Sequence, residues 1–579
     1  MRKITIFIVL TIGIATQLVS QTDYRDTLSI NNIKALVRAG GVQFWEPNQN
    51  NQFDTSNRSV YEFPKNSGKN TIFCSSLWFA GKDINNNIRI AAETYNENGT
   101  DFWTGPLSDD GSASTNQFNV NNWNKVWGIN KQDLINYLNS SSYPSNPPPF
   151  VLNWPVYGDT TQNQSFLLAP FVDIDNNGIY QPYLGDYPKI FGDQCYFFII
   201  NDQKIHNESH GQALGLEIHV FAYAFYNLND TSLNNTIFYK YKIFNKSINT
   251  YTDCYIGFYN DFDIGYSFDD YLGCDVELST CYAYNGNLYD GDGQNHSYGV
   301  NPPVQGMTIL KGAKMNPDAL DNPKLDINGN QICDYSVNGR YFGDSYIDNE
   351  RFGMCNFVHL DNSSGTYGSP EYPIDFFNIL SNNLLKWGIY HYDTSSNYVN
   401  ARFAFPGLTD STNWGTDCGN RPFPNNWNEA LSINPPGDRR GVSSMGPFAF
   451  HPNGIHEIDI CYTTASSISS LNQTISHIQN LILLSPEIFQ GYVGINNNKL
   501  INNLLKIYPN PAFKELCIEG ITIKNCKYEV YNLIGQICKS GNIYNEIIQK
   551  IDISQLQKGV YLIKFYNSDT IKTQKFIKK

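Results

Sequence analysis

YEVYNLIGQ, residues Tyr528 to Gln536, and DISQLQKGVYLIKF, Asp552 to Phe565, decide how the end of this chain folds. In the first string Tyr528, Val530 and Asn532 alternate with Glu529, Tyr531 and Leu533, the period-2 pattern of a strand. In the second, Val560, Leu562 and Lys564 alternate with Tyr561, Ile563 and Phe565, so both faces are largely apolar. Gly535-Gln536 and Lys558-Gly559 are turn signals between such runs. Upstream, IYPNP (Ile507 to Pro511) holds two prolines, which forbid helix and suit an edge strand or a linker. About seven short strands in this length predict a small immunoglobulin-like sandwich.

Taken in order, IYPNP, YEVYNLIGQ, DISQLQKGVYLIKF and the closing KFIKK resemble the C-terminal sorting domain of the type IX secretion system of Bacteroidota. The resemblance implies handling by that secretion machinery and an address on the outer cell surface or in the medium. It implies nothing about chemistry in the preceding residues.

Charge separates the tail from the rest. From Leu505 to Lys579 there are 12 lysines and 6 acidic residues, net +6, while the remainder carries 28 basic and 48 acidic residues, net −20. A sign change of that size marks a boundary, and it falls at GINNNKLINN, Gly494 to Asn503. The overall charge of −14 argues against nucleic-acid binding, which needs clustered lysine and arginine against phosphate. Aromatics make up 14% and charged residues only 16%, which favours β-structure over helical bundles.

The N-terminus reads as a secretory signal peptide, residues 1–20. Arg2 and Lys3 precede an apolar core, Ile4 to Ala15, too short to span a bilayer, and small Ser20 suits cleavage before Gln21. No Cys follows to carry a lipid, and no later run is apolar and long enough for a membrane helix. The route is therefore export to the periplasm and then across the outer membrane. Twelve cysteines on that route predict at least two disulfides outside the tail. None forms a CxxC, which disfavours zinc ribbons and thioredoxin-like redox motifs.

The expected organisation is a signal peptide (1–20), an N-terminal β-rich unit (21–165), a central β-sandwich body with Asx-rich loops (166–490), a linker (491–504) and the tail (505–579). The fold class is mainly β, a multi-domain β-sandwich body with a few helices. Thr71 to Gly81 and Arg89 to Thr94 read as a hairpin, and CYFFIIND (Cys195 to Asp202) as a buried strand. Gly215 to Phe225 alternates cleanly and pairs with Asn235 to Asn245; His456 to Ala465 is a further strand. Helices are expected at Lys131 to Leu138, Ile374 to Trp387 and, from apolar residues at helical spacing, Ile468 to Leu484. GGVQFWE (Gly40 to Glu46), FWTGPL (Phe102 to Leu107) and DDYLGCD (Asp269 to Asp275) resemble uncharacterised bodies that precede this sorting domain in secreted Bacteroidota proteins. That resemblance implies no catalytic residue.

The most chemical stretch of the body is FVDIDNNGIYQPYLGDYP, Phe171 to Pro188. Asp173, Asp175 and Asn177 stand at positions 1, 3 and 5 of a calcium loop of EF-hand type, with Gly178 at the sharp turn and the Ile179 carbonyl at position 7. Position 12 is Leu184, not a bidentate Glu, and Asp186 two residues on takes its place. The alternative is an Asx-rich turn whose carboxylates cap their own backbone. His206, Glu208 and His210 form a metal trio if HNESH is extended, although Gly211 favours a loop. Asp261, Asp263, Asp269, Asp270 and Asp275 are either a second cation site or solvated loop charges, and Leu325 to Asp334 is a weaker Asx-rich loop.

No HExxH, no GxSxG and no phosphate-binding loop occur. The sequence thus points to a secreted or surface non-catalytic protein of calcium-bound β-sandwiches, engaged in adhesion or ligand binding, with an extracellular glycan or surface ligand as partner. The alternative is a secreted polysaccharide hydrolase, because two catalytic carboxylates need not be near in sequence.

Overall fold

The computed structural model describes residues 25–45, 60–95, 99–291, 293–362, 368–382, 389–391, 398–416, 418, 426–432, 434–484, 489, 506–519, 526–532, 536–543, 548–566 and 571–579. The expected signal peptide and linker lie outside them. Strands dominate, as the composition predicts, at 39% of the chain against 14% helix.

Two large antiparallel sheets form the body. The first runs in the order Asp270–Asp275, Thr280–Asn285, Val304–Lys311, Ile455–Ala465, Thr236–Asn245, Leu216–Ala224, Gln194–Asn201, Trp103–Thr104, and Trp127–Asn130 also pairs with Gln194–Asn201. The second runs Asn356–Asp361, Arg439–Phe450, Tyr251–Phe262, Cys74–Lys82, Val42–Gln43, and Ile88–Ala91 also pairs with Cys74–Lys82. Both sheets therefore draw strands from before and after residue 165.

The inner faces share one core. Phe198, Ile218, Val220, Tyr239 and Ile460 of the first sheet belong to the same buried cluster as Leu77, Phe79, Ile256, Phe258 and Phe448 of the second. Period 2 sets which residues enter it. In Thr236–Asn245, Tyr239, Tyr241 and Ile243 are buried, while Lys240 and Lys242 alternate with them on the outer face. There Lys240 lies opposite Asp459 and makes an ion pair with it, a cross-strand pairing that reinforces register.

The helix Ile468–Leu484 forms as its spacing predicts. Leu471, Ile475 and Ile478 are fully buried, and Leu471 lies against Gly306, where an added Cβ would come within 3.0 Å of it. Each such aliphatic side chain contributes about 1.5–3 kcal/mol by leaving water. Lys131–Leu138 is also helical over the expected residues. The third helix is shorter than expected. It spans Pro373–Ser381 and is capped by Asn382 in the left-handed region at φ 49°; residues 383–388 are outside the described set.

The tail is a separate small sandwich. Lys506–Tyr508, Glu515–Glu519 and Ile548–Asp552 make one sheet; Ile537–Ile543, Cys526–Tyr531, Gly559–Tyr566 and Ile571–Lys578 make the other. Leu516 and Ile551 from the first meet Tyr528, Val530, Ile563, Phe565 and Phe576 from the second in one core. Of the two apolar faces of the last quoted strand, the one bearing Tyr561, Ile563 and Phe565 is buried.

The expectation of at least two disulfides in the body is not met among the described residues. Cys333 and Cys418, 85 residues apart, are bonded, whereas Cys74, Cys195, Cys254, Cys274, Cys281, Cys355 and Cys461 are buried thiols. Most of these thiols stand on strands of the two sheets and serve as small apolar fillers. Replacing both Cys333 and Cys418 by Ser is expected to lower stability by about 2–4 kcal/mol in denaturant unfolding, since the crosslink restricts the unfolded chain. A double variant with unchanged unfolding midpoint would contradict a stabilising crosslink.

Candidate functional site

The loop from Phe171 to Pro188 is closed at its base by two short antiparallel strands, with Val172 opposite Tyr187 and Phe171 opposite Pro188. Above that base the chain folds back on its own acidic side chains. Asp173 accepts from the backbone N–H of Gly178 at 2.7 Å and of Asn177 at 3.3 Å. Asp175 accepts from the Asn177 N–H at 3.2 Å and the Asn177 amide at 2.9 Å, and the Asn177 Oδ1 accepts from the Ile179 N–H at 2.7 Å. Asn176 and Gly178 take positive φ, 58° and 77°, to make the turn. Buried Asp186 ties the two limbs together, accepting from Ile174 N–H at 2.9 Å and Gln181 N–H at 2.7 Å.

The structure brings Asp173, Asp175 and Asp186 together, with one carboxylate oxygen from each within 4.8 Å of the others. Each oxygen keeps a lone pair beyond the bond it accepts. The Gly178 N–H holds the Asp173 carboxyl below the ordinary carboxylate range, so it is ionised at neutral pH. Leu184, at position 12, is exposed and offers no side-chain oxygen. The three carboxylates offer oxygen atoms, the ligand type that hard cations take. The same hydrogen bonds also satisfy the Asx-turn alternative, so this geometry is common to both readings.

The other candidate ligands sort differently. Asp270–Asp275 is a strand buried at every residue, not a solvated loop. Asp270 accepts from Ile264 N–H at 3.0 Å; Asp275 accepts from Leu278 N–H at 2.9 Å and from the Asn472 amide at 2.8 Å. Burial raises the Asp275 carboxyl to about 6. Asp261 and Asp263 do cluster, but with Asp438, which the sequence reading did not single out. Arg440 sits among them, with Nε 3.1 Å from Asp261 and Nη2 3.5 Å from Asp438, so part of that charge is already balanced by a buried ion pair. In the weaker loop, Asp326 caps the N–H groups of Asn328 and Asn330 at 2.8 and 2.9 Å.

HNESH is not extended: His210 takes φ 55°. His206 is buried between backbone carbonyls, its Nδ1 2.6 Å from Ile90 O and its Nε2 2.6 Å from Asp202 O. Glu208 accepts from the Thr94 hydroxyl at 2.5 Å. These are satisfied structural groups, and the clustering that sequence spacing suggests is absent among the described residues. Beside them lies Glu93, which the sequence reading missed because only tertiary packing buries it. Its Oε1 accepts from Asp101 N–H at 2.7 Å and Phe102 N–H at 3.1 Å, while buried Oε2 has no partner. Desolvation raises this carboxyl to about 7.

Residues 506–579 match the family described as Secretion system C-terminal sorting domain. The chain therefore ends in a type IX sorting domain and is an exported protein, secreted or displayed at the cell surface. No helix of the described residues is long and apolar enough to cross a membrane. No curated protein matches the chain. Among solved structures, a polysaccharide lyase aligns over 62% of this chain and 34% of its own, about a third of its length, at 8% identity and a TM-score of 0.17. Likeness that low transfers neither fold nor activity.

Glu93 makes a pH-dependent contribution with a definite sign. Its pKa rises from 4.5 to about 7 on folding, so the stability it contributes is complete below pH 4.5 and is lost as pH rises through about 7. Glu93→Gln removes this dependence. Unfolding free energies from denaturant titrations at pH 4 to 8 should fall more steeply in wild type than in the variant, by a difference on the order of 3 kcal/mol across the interval. Parallel curves would contradict the assignment.

Proposed function

We propose that this chain is a non-catalytic protein of the cell surface or surrounding medium that binds an extracellular ligand, a glycan foremost, through a calcium-braced β-sandwich body. A signal peptide at residues 1–20 opens its route through the periplasm of a Bacteroidota cell, and residues 491–504 link body to tail. The observation that carries the reading is the Asp173–Asp186 loop. It is a strand-closed turn that converges three carboxylates and leaves the Ile179 carbonyl without a hydrogen-bond donor among the described residues.

Calcium fits this loop better than a harder-bound transition metal does, because every ligand atom on offer is oxygen. With no bidentate Glu, ligand charge is low, and affinity should resemble extracellular modules, with Kd roughly 10⁻⁴ to 10⁻³ M. Such binding suits a medium where free calcium is millimolar. Two surface hollows, of about 460 and 260 Å³, carry one carboxylate each, Asp133 and Asp159.

Two measurements test this. Deleting residues 506–579 should trap the protein in the periplasm, followed with an antibody to the body; wild-type levels outside the cell would contradict the export reading. Calorimetry in calcium against chelator should show a stabilisation of about 0.4–1.4 kcal/mol near these affinities. The pair Asp173→Ala, Asp175→Ala should abolish that difference and leave the chelator curve nearly unchanged. Identical wild-type curves in both media would make the loop an Asx-rich turn.

A further inference from the structure

A second feature adjoins the loop. The hollow of about 260 Å³ is walled by Phe118 and Trp123 of the short helix Gln117–Trp123, by Tyr157, and by the amides of Asn122, Gln162 and Gln164. Phe118 is 67% exposed, a large aromatic surface left in water for no packing reason. The Asn122 amide and the Trp123 indole N–H have no hydrogen-bond partner among the described residues. The rest of the rim is held firmly: Gln164 Nε2 donates to Asn119 Oδ1 at 3.0 Å, and Gln162 Nε2 donates to Asp159 at 2.9 Å. Gly105, at φ 100°, lets the chain pass beneath the Trp123 side chain, where a Cβ would approach it to 3.0 Å.

Aromatic faces beside a free amide and a free indole N–H match one ligand chemistry. The flat C–H face of a pyranose carries partial positive charge toward the negative ring face, while its equatorial hydroxyls both donate and accept. No lysine or arginine lines the hollow, and its one charged group is the Asp159 carboxylate, so an anionic ligand is disfavoured.

The Tyr157 wall is tied to the acidic loop through the two peptide units that flank the Tyr180 Cα. The Tyr157 hydroxyl donates to the Tyr180 carbonyl at 3.2 Å and accepts from the Tyr180 N–H. That N–H belongs to the same peptide as the Ile179 carbonyl, the position-7 ligand. In a trans peptide the two groups point in opposite directions across one rigid plane. A cation on the carbonyl fixes the plane, and the plane fixes where the N–H meets Tyr157.

We propose that this hollow is a subsite for a neutral pyranose of a glycan chain, and that calcium in the Asp173–Asp186 loop sets its Tyr157 wall. The inference rests on the calcium and glycan readings above, and its test separates them. The full mature chain is titrated calorimetrically with cellohexaose, maltohexaose, laminarihexaose and mannohexaose, each in calcium and in chelator. At least one is expected to bind in calcium and several-fold more weakly in chelator. Trp123→Ala and, as a variant whose side chain packs little, Phe118→Ala should each weaken binding about tenfold. Tyr157→Phe keeps the ring but loses the hydroxyl, and should bind equally in both media. Absence of binding by all four in a protein whose melting responds to calcium overturns the subsite and leaves the calcium loop standing. Binding unchanged in Trp123→Ala and Phe118→Ala overturns its location. Equal wild-type binding in calcium and chelator overturns the coupling.

Discussion

Where the two large sheets meet, Phe44, Tyr61, Tyr239 and Tyr462 interlock edge to face, with ring centroids 4.9–6.3 Å apart. Each ring buries a large apolar area, and each phenol must find a polar partner within that interior. Tyr462 meets the Ser75 hydroxyl of the opposite sheet at 2.7 Å, Tyr61 donates to the Tyr462 carbonyl at 3.3 Å, and Tyr239 donates to Gln43 at 3.3 Å. Burial pushes the Tyr462 and Tyr61 phenols far above their ordinary values, so they are neutral donors at any physiological pH. Tyr239 and Tyr462 come from the first sheet, Phe44 follows the Val42–Gln43 strand of the second, and Tyr61 stands on a strand, Tyr61–Glu62, of a smaller third sheet, so the junction joins three sheets.

That junction leaves the loops free to differ. The acidic loop stands on its own pair of short strands, so exposed Asp175 answers to local geometry, while Tyr180, Tyr187 and Asp186 anchor its base in the protein interior. The buried carboxylates answer to the core: Asp270, Asp275 and Glu93 are raised by desolvation, and the backbone N–H groups around them supply what compensation exists. The charge change at the tail follows a similar division. The tail has its own core around Phe565 and Phe576, and among its described side chains Lys514, Lys527, Lys550, Lys558, Lys575 and Lys579 are exposed while Lys578 is largely buried.

Period-2 alternation made the strands legible. Leu216–Ala224 and Thr236–Asn245 fall within a residue of the expected ends and pair as expected, and the motif order of the tail disclosed both its sandwich and its family. Helical spacing placed the helix Ile468–Leu484. Asp270–Asp275 was harder to read, because a carboxylate-bearing string looks solvated until tertiary neighbours supply N–H donors. Asp438 and Glu93 were invisible for the same reason: their partners lie far away in sequence, with Asp438 meeting Asp261 only through strand pairing between Arg439–Phe450 and Tyr251–Phe262. Cysteine counting overestimated crosslinks, since strand-borne thiols such as Cys274 and Cys281 stand opposite each other yet fill space as apolar groups.

Calcium binding by the body rests on what sits in the Asp173–Asp186 loop. Anomalous diffraction from crystals of the full mature chain soaked in a calcium-mimicking lanthanide reads that position directly. One peak is expected, bonded to Asp173, Asp175, Asn177 and the Ile179 carbonyl, with Asp186 at its base. A clean difference map at the loop, with the Gly178 and Asn177 N–H groups still capping Asp173, would contradict this expectation.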